Sequence, residues 1–172
     1  MIETHPFGFF VPKNAQYLLL GSFTTKEANF DPTYDWFYGT KRNYFWPILR
    51  AVYGLPLATK KEKQDLFTHL RMALGDIIYQ CERIKDSNLD VNLVNVIYNL
   101  DAVAETLSKN KIKKIFFSSR FVEGKFRRFF RSIINHHPDT ELITLPSPSP
   151  RYAALTPAQK LQIYKSLLPK LP

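Results

Sequence analysis

Asn43 stands among aromatic and cationic residues: Tyr38, Lys41, Arg42, Tyr44, Phe45 and Trp46. An amide carries both a donor and an acceptor and does not titrate. It can therefore hold a water or grip a nucleobase edge. Tyr38 and Phe45 have the right shape to stack on an extruded base, and Lys41 and Arg42 the right charge to hold flanking phosphates. Each also has a plainer use: Asn43 as the cap of the helix that follows, the aromatics as core, the cations as solvent-facing groups. Upstream, Gly21, Ser22, Phe23, Thr24 and Thr25 directly follow the apolar run Tyr17–Leu20. A glycine there predicts a tight turn and close backbone approach to a ligand, or simply relief of crowding. The hydroxyls and amides after it can bind an anion or a base carbonyl. A further polar loop, LPSPSPRYA over 145–153, offers Ser147 and Ser149 for phosphate contacts, Arg151 to complete that grip and Tyr152 as a wedge.

These loops need elements to position them. Tyr17–Leu20 is apolar without alternation and too short for a helix, which fits a central parallel strand. Residues 113–118, KKIFFS, and 141–145 are further strand candidates. A short strand is expected over 92–97. Helices are expected over 43–53, 60–74, 101–110 with Asp101 as cap, 122–134, and from the Thr156-Pro157 pair onward. Residues 5–15 read as an irregular arm clamped by Phe7, Phe9, Phe10 and Val11. Residues 21–42 read as a long ordered loop, a feature that often binds something. Alternating strands and helices predict a parallel sheet covered on both faces, with the functional loops at its carboxyl edge.

Composition narrows the function classes. The 172 residues fit one domain, 1–172. A formal charge of +9, from 24 Lys and Arg against 15 Asp and Glu, favours an anionic partner. A basic block runs from Lys109 to Arg131 and includes Arg120, Lys125, Arg127 and Arg128, a stripe suited to DNA phosphates or simply to a solvated helix face. Cys81, the lone cysteine, is expected to be a buried, inert thiol. The four histidines form no spaced ligand set, so no metal centre is expected. No glycine-rich dinucleotide fingerprint or phosphate loop is present. Neither a signal peptide nor a membrane span is evident, so a cytoplasmic or nucleoid-associated protein is expected.

Taken in order, LLLGSF (18–23), FYGTKRNYFWPIL (37–49), ALGDIIYQCER (73–83), IFFSS (115–119) and LPSPSPRYA (145–153) resemble the uracil-DNA glycosylase superfamily, and within it the hypoxanthine (deoxyinosine) DNA glycosylase branch. The resemblance implies an α/β fold, a three-layer α/β/α sandwich around a short, mostly parallel sheet. It implies a monomer without metal or cofactor that cleaves the N-glycosidic bond of a deaminated base in DNA and leaves an abasic site. It places Asn43 and Ser22 in catalysis, and Gly21, Phe23, Tyr38, Phe45 and Asp76 around the base. Three departures stand out. GSFTT replaces the branch's usual GSFPS, Leu145 replaces the histidine or asparagine of several branches, and Gly75 stands where relatives usually carry tryptophan.

The mechanism this implies is hydrolysis without a covalent intermediate. Asn43 positions the water, and amides near Gly21–Phe23 stabilise charge on the leaving base. Asp76 and Asp35 are the candidate general bases, with Asp76 better suited to tying down the pocket loop. Two other readings stay open from sequence: a non-catalytic binder of damaged or single-stranded DNA with the same fold, and an α/β hydrolase acting on a small anionic substrate.

Overall fold

The computed structural model describes residues 1–172. Strand β1 spans Ile2–Thr4 and β2 spans Tyr17–Gly21. Helices α1 (Phe45–Tyr53) and α2 (Lys60–His69) lead to β3 (Met72–Asp76), β4 (Ile78–Arg83) and β5 (Leu93–Tyr98). Then come α3 (Leu100–Lys109), β6 (Lys114–Phe117), α4 (Arg120–Phe129), α5 (Arg131–Ile134), β7 (Glu141–Thr144) and α6 (Pro157–Leu167).

Four strands form one parallel sheet in the order β3-β2-β6-β7. The register pairs Gly21 with Asp76, Leu20 with Phe117, and Phe117 with Thr144. All four carboxyl ends therefore reach one edge, and the loops after β2, β6 and β7 leave from it, as the apolar runs predict. Successive side chains on a strand face opposite ways, and β2 uses this fully. Leu19 joins a core with Phe116 and residues of α1, α2 and α6, while Leu18 and Leu20 join a second core with Ile115, Phe117 and residues of α3 and α4. Burying one such Leu or Phe side chain contributes about 1.5–3 kcal/mol. Two apolar layers thus fix the sheet between two helical faces, and the α/β/α sandwich follows.

Several elements differ from the sequence reading. The helix expected over 60–74 ends at His69, and Met72–Asp76 is instead a fully buried edge strand of the main sheet. Arg71 takes a left-handed φ of 52°, which stops the helix and turns the chain into the strand. Helical spacing of Leu66, Leu70 and Leu74 concealed this break. The helix expected over 122–134 is two, α4 and α5, separated at Phe130. Ser119 caps α4, its hydroxyl accepting from the Val122 amide. Asp101 is not a cap but lies in the first turn of α3, after Asn99. The strand expected over 92–97 exists as β5, yet it belongs to a separate antiparallel sheet ordered β1-β4-β5. Cys81, on β4, is buried as expected, and burial pushes its thiol up to about 11. No helix is long and apolar enough to cross a membrane.

The amino-terminal arm is more than a clamp. Phe10 exchanges two backbone hydrogen bonds with Leu74, at 2.9 Å each. The neighbouring Phe9 ring lies over Gly75, where an added Cβ would stand 2.5 Å from its Cδ1 and 2.6 Å from its Cζ. Phe9 fills the space that a large side chain at position 75 would claim, so glycine there is matched to the arm. Accordingly, Gly75→Ala should destabilise the protein by about 1–3 kcal/mol through overpacking. Combined with Phe9→Ala it should cost less than the two single changes together, because the clash is gone. Urea unfolding of the four proteins in the cycle measures the coupling.

Candidate active site

The cavity at the carboxyl edge has a volume of about 130 Å3. Its walls come from the loop after β2 (Ser22–Thr25, Tyr34, Tyr38, Thr40, Asn43), the end of β3 (Asp76), the segment before β5 (Asn88, Asp90), the start of α4 (Ser118, Ser119) and the loop after β7 (Ser147–Ser149). The lining is mostly polar. Two buried side-chain oxygens on this cavity wall, Thr25 Oγ1 and Tyr38 Oη, make no well-formed hydrogen bond, although Tyr34 and Ser118 lie beside them. Buried oxygens without a well-formed bond are rare and cost stability, and here both stand at a polar cavity. The backbone amides of Ser22, Phe23 and Thr24 also donate to no protein acceptor.

Asn43 precedes α1. Its side-chain oxygen accepts from the Phe45 amide at 2.8 Å, so it does cap the helix. This role does not exclude the chemical one. The carbonyl oxygen has a second lone pair, the amide nitrogen donates to nothing in the protein, and the residue lines the cavity. The cap bond fixes the amide's orientation. Tyr44 then ties this corner to the opposite loop by donating its N–H to the Pro148 carbonyl at 2.9 Å.

Phe45 follows the plainer of its two readings, core. It is fully buried and is not part of the cavity wall. Tyr38 lies flat on it, with ring centroids 3.9 Å apart and planes inclined by 23°. Tyr38 therefore occupies the face that a base was expected to use. Its backbone sits at φ 57°, a strained conformation for a bulky residue. Burial, reinforced by the charge of Asp76, pushes its phenol well above the ordinary range, which keeps the hydroxyl a neutral donor. Gly21 follows its second reading, relief of crowding, and ends β2 without a turn. An added Cβ would collide with Asp76 Oδ1 and stand 2.6 Å from Tyr38 Oη. The close approach that glycine permits is made by the protein's own side chains.

Asp76 is held in place. His5 Nδ1 accepts from the Phe7 amide at 3.0 Å, which leaves the ring proton on Nε2 to donate to Asp76 Oδ2 at 2.6 Å. The Asp76 carbonyl accepts from Asn99 Nδ2 at 2.8 Å. Asp35, the other candidate base, is bound by Lys63 at 3.0 and 3.2 Å and lies outside the cavity. Phe23 lines the wall, edge-on to His5, with Arg83 over its face. Arg83 grips Glu3 through two bonds and donates to the Thr24 carbonyl at 2.9 Å, which fixes the loop after β2.

Asp90 escaped the sequence reading. It accepts from Ser22 Oγ at 2.7 Å and forms no ion pair. Burial lifts its carboxyl to about 6 against the Ser22 hydrogen bond, Asp76 adds to the lift, and Arg83 opposes it. Its local sequence, KDSNLDVN, looks like an ordinary polar turn. Only the position of that turn between two strands, beside the end of β2, brings it to the site.

The loop after β7 is braced from behind. Lys160 Nζ donates to the Ser149 carbonyl at 2.9 Å and Tyr164 Oη to the Pro146 carbonyl at 2.8 Å. Ser147 Oγ accepts from the Ser149 amide, and Ser149 Oγ from that of Arg151. Leu145 is buried in the core and has no part in the cavity. Lys41, Arg42, Arg120 and Arg151 are exposed and form no ion pair. Tyr152 is exposed beside Lys160. The basic block divides. Arg120 starts α4 at the site edge, while Lys114 starts β6 at the opposite edge. Arg127, in the last turn of α4, pairs back to Glu123 in its first, and Lys109, at the end of α3, pairs with Glu105.

No protein-family model matches the sequence, and no curated protein is similar to it. Among solved structures, the chain is similar to a solution NMR structure of a provisionally named uracil DNA glycosylase from Methanosarcina acetivorans. The TM-score is 0.72 at 21% identity, over 98% of this chain and 97% of that one. The chain thus has a uracil-DNA-glycosylase-like fold, as its motifs imply.

The raised carboxyl of Asp90 predicts a pH-dependent stability. Its folded value, about 6, lies above the ordinary carboxylate value of about 3.9. Its contribution is therefore greatest below the ordinary value and is lost as pH rises through about 6. Asp90→Asn should be more stable than the wild type at pH 7, and this advantage should disappear below about pH 4. Urea unfolding at both pH values tests the sign.

Proposed function

We propose that the protein is a DNA glycosylase that hydrolyses the N-glycosidic bond of a deaminated base, hypoxanthine foremost, and leaves an abasic site. The observation that carries this reading is the polar cavity at the carboxyl edge of the sheet, with its unpaired buried oxygens and free amides. The glycosylase-like fold and the unpaired cations Lys41, Arg42, Arg120 and Arg151 support it. An extruded base needs a recessed pocket with donors and acceptors for its edge, and the duplex needs cations at the rim.

Base release requires stabilising negative charge on the departing base and bringing a water to the sugar carbon. The amides of Ser22–Thr24, which donate to no protein acceptor, and the neutral hydroxyl of Tyr38 belong to the wall of this cavity, and fixed donors of this kind act on charge that develops beside them. Asn43 holds the water through its free lone pair and amide hydrogens. Hypoxanthine, with acceptors at its carbonyl and ring nitrogens, suits a wall this rich in hydroxyl and amide donors. Uracil and xanthine share that chemistry in part and complete the substrate class. The protein acts as a monomer without a cofactor and works in the cytoplasm at the nucleoid.

Two outcomes are expected. Asn43→Ala should cut single-turnover base release from a deoxyinosine duplex by 100-fold or more, on the order of a lost transition-state contact. DNA affinity should stay near wild type. Because the cap bond is lost, about 1 kcal/mol of stability should go with it. Asn43→Asp, which keeps the capping acceptor, separates the two effects. Wild-type rates in a folded, DNA-binding Asn43→Ala protein would remove the assignment.

Charge reversal at Lys41 and Arg42 together should weaken binding to lesion-bearing and undamaged duplexes alike. It should also lower the salt slope by about 2. The same reversal at Arg127 and Arg128, at the far end of α4, should leave both nearly unchanged. Fluorescence anisotropy across a salt series reads both variants.

A further inference from the structure

We propose that Asp90 is the proton acceptor of the reaction, reached through the hydroxyl of Ser22. This inference rests on the glycosylase reading and adds to it the path by which the attacking water loses its proton.

The geometry supports a relay. Ser22 and Asp90 both line the cavity, and Ser22 Oγ donates to Asp90 Oδ1 at 2.7 Å. An ionised carboxylate only accepts, so the Ser22 proton is committed to Asp90. The Ser22 oxygen then faces the cavity with lone pairs alone, and it is an acceptor for a water held there. Asn43 is part of the same wall. As the water oxygen bonds to the sugar carbon, the glycosidic bond breaks and its electron pair leaves with the base. The water gives one proton to Ser22 Oγ, and Ser22 gives its own to Asp90 Oδ1. The proton on Asp90 later passes to solvent or to the departed base anion, which restores the starting state.

The surroundings suit this role. Asp76, the other carboxylate of the cavity, is engaged by His5. Arg83 faces Asp90 but spends its donors on Glu3, Thr24, Ser87 and Asn88. Lys125 shares a neighbouring groove with Asp90 and rests over the rings of Phe121 and Phe129 instead. Tyr34 and Tyr38, on the opposite loop, carry phenols pushed upward by burial and stay uncharged. Asp90 is thus a recessed carboxylate with one hydroxyl donor and no counterion. Burial raises its carboxyl to about 6, close to the working pH where a general base is most effective.

Single-turnover base release from a deoxyinosine duplex, measured from pH 4.5 to 8.5, tests the relay. The wild-type rate should rise with pH and level off above about 6. Asp90→Asn should lose about 100-fold at neutral pH, the lower range for a general base, and should lose the acidic limb. Ser22→Ala should lose a similar factor, and the double variant little more, because the two groups act as one unit. DNA affinity should hold in all three. An Asp90→Asn protein that keeps both the rate and the limb overturns the relay and leaves the glycosylase reading intact. A Ser22→Ala protein that keeps its rate while Asp90→Asn loses it also overturns the path through serine. A wild type that releases no base from deoxyinosine, deoxyuridine or deoxyxanthosine duplexes overturns both, and that result comes before any variant is made.

Discussion

The site depends on the missing side chain at Gly21. The parallel register sets this residue beside Asp76 at the last rung of the sheet. Because nothing projects from Gly21, the Asp76 carboxylate and the Tyr38 hydroxyl can both lie over it. Any Cβ there would collide with both. Asp76 in turn receives His5 from the amino-terminal arm, and Tyr38 lies flat on Phe45 at the start of α1. One absent methyl group thus lets the arm, the long loop, β3 and α1 converge at a single point. The strain at Tyr38 and its unpaired hydroxyl persist because these neighbours overdetermine the position.

Around that point the loops are held rather than floppy. Arg83 fixes the loop after β2 through the Thr24 carbonyl, and Asn88 accepts from the Lys26 amide and donates to Glu27. Lys160 and Tyr164 of α6 hold the loop after β7 from behind, and Tyr44 joins it to the Asn43 corner. The groups that face the cavity are therefore positioned by bonds made elsewhere. Preorganised donors cost no rearrangement when charge develops. The cost appears instead as buried oxygens without a well-formed bond, Thr25 Oγ1 and Tyr38 Oη.

Much of this was legible in the sequence because it was local. Strands β2, β6 and β7 appear as apolar runs that each end in polar residues. Asn43, Ser22, Ser147 and Ser149 appear as unusual polar residues within those loops, and the structure brings all four to one cavity. What escaped was set by tertiary pairing. Helix periodicity ran past Arg71 into β3, since three buried leucines fit either period. The antiparallel sheet was missed because β1 and β4 carry no strong alternation of their own and are defined by pairing with one another and with β5. Phe45 stayed open between core and base platform because sequence cannot tell which of two neighbouring aromatics lies in front. Asp90 was missed because its importance lies in reaching Ser22 across 68 residues of chain.

The two carboxylates of the cavity show how one edge can hold groups of unlike character. Asp76 is bonded from the side by an imidazole N–H and anchored through its own carbonyl, so both ends of the residue are committed to ordering the loop. Asp90 has a single hydroxyl donor and burial that works against its charge, so its proton affinity is the adjustable quantity. The charge of Asp76 raises that affinity further. One carboxylate is engaged by structural donors and the other meets only a hydroxyl, so the two have different freedom to act. Here the division follows from position in the chain. Asp76 closes a strand and is committed to structure, whereas Asp90 lies on a turn between strands, where only the Ser22 hydroxyl reaches it. The structural carboxylate thereby tunes the one left free to take a proton.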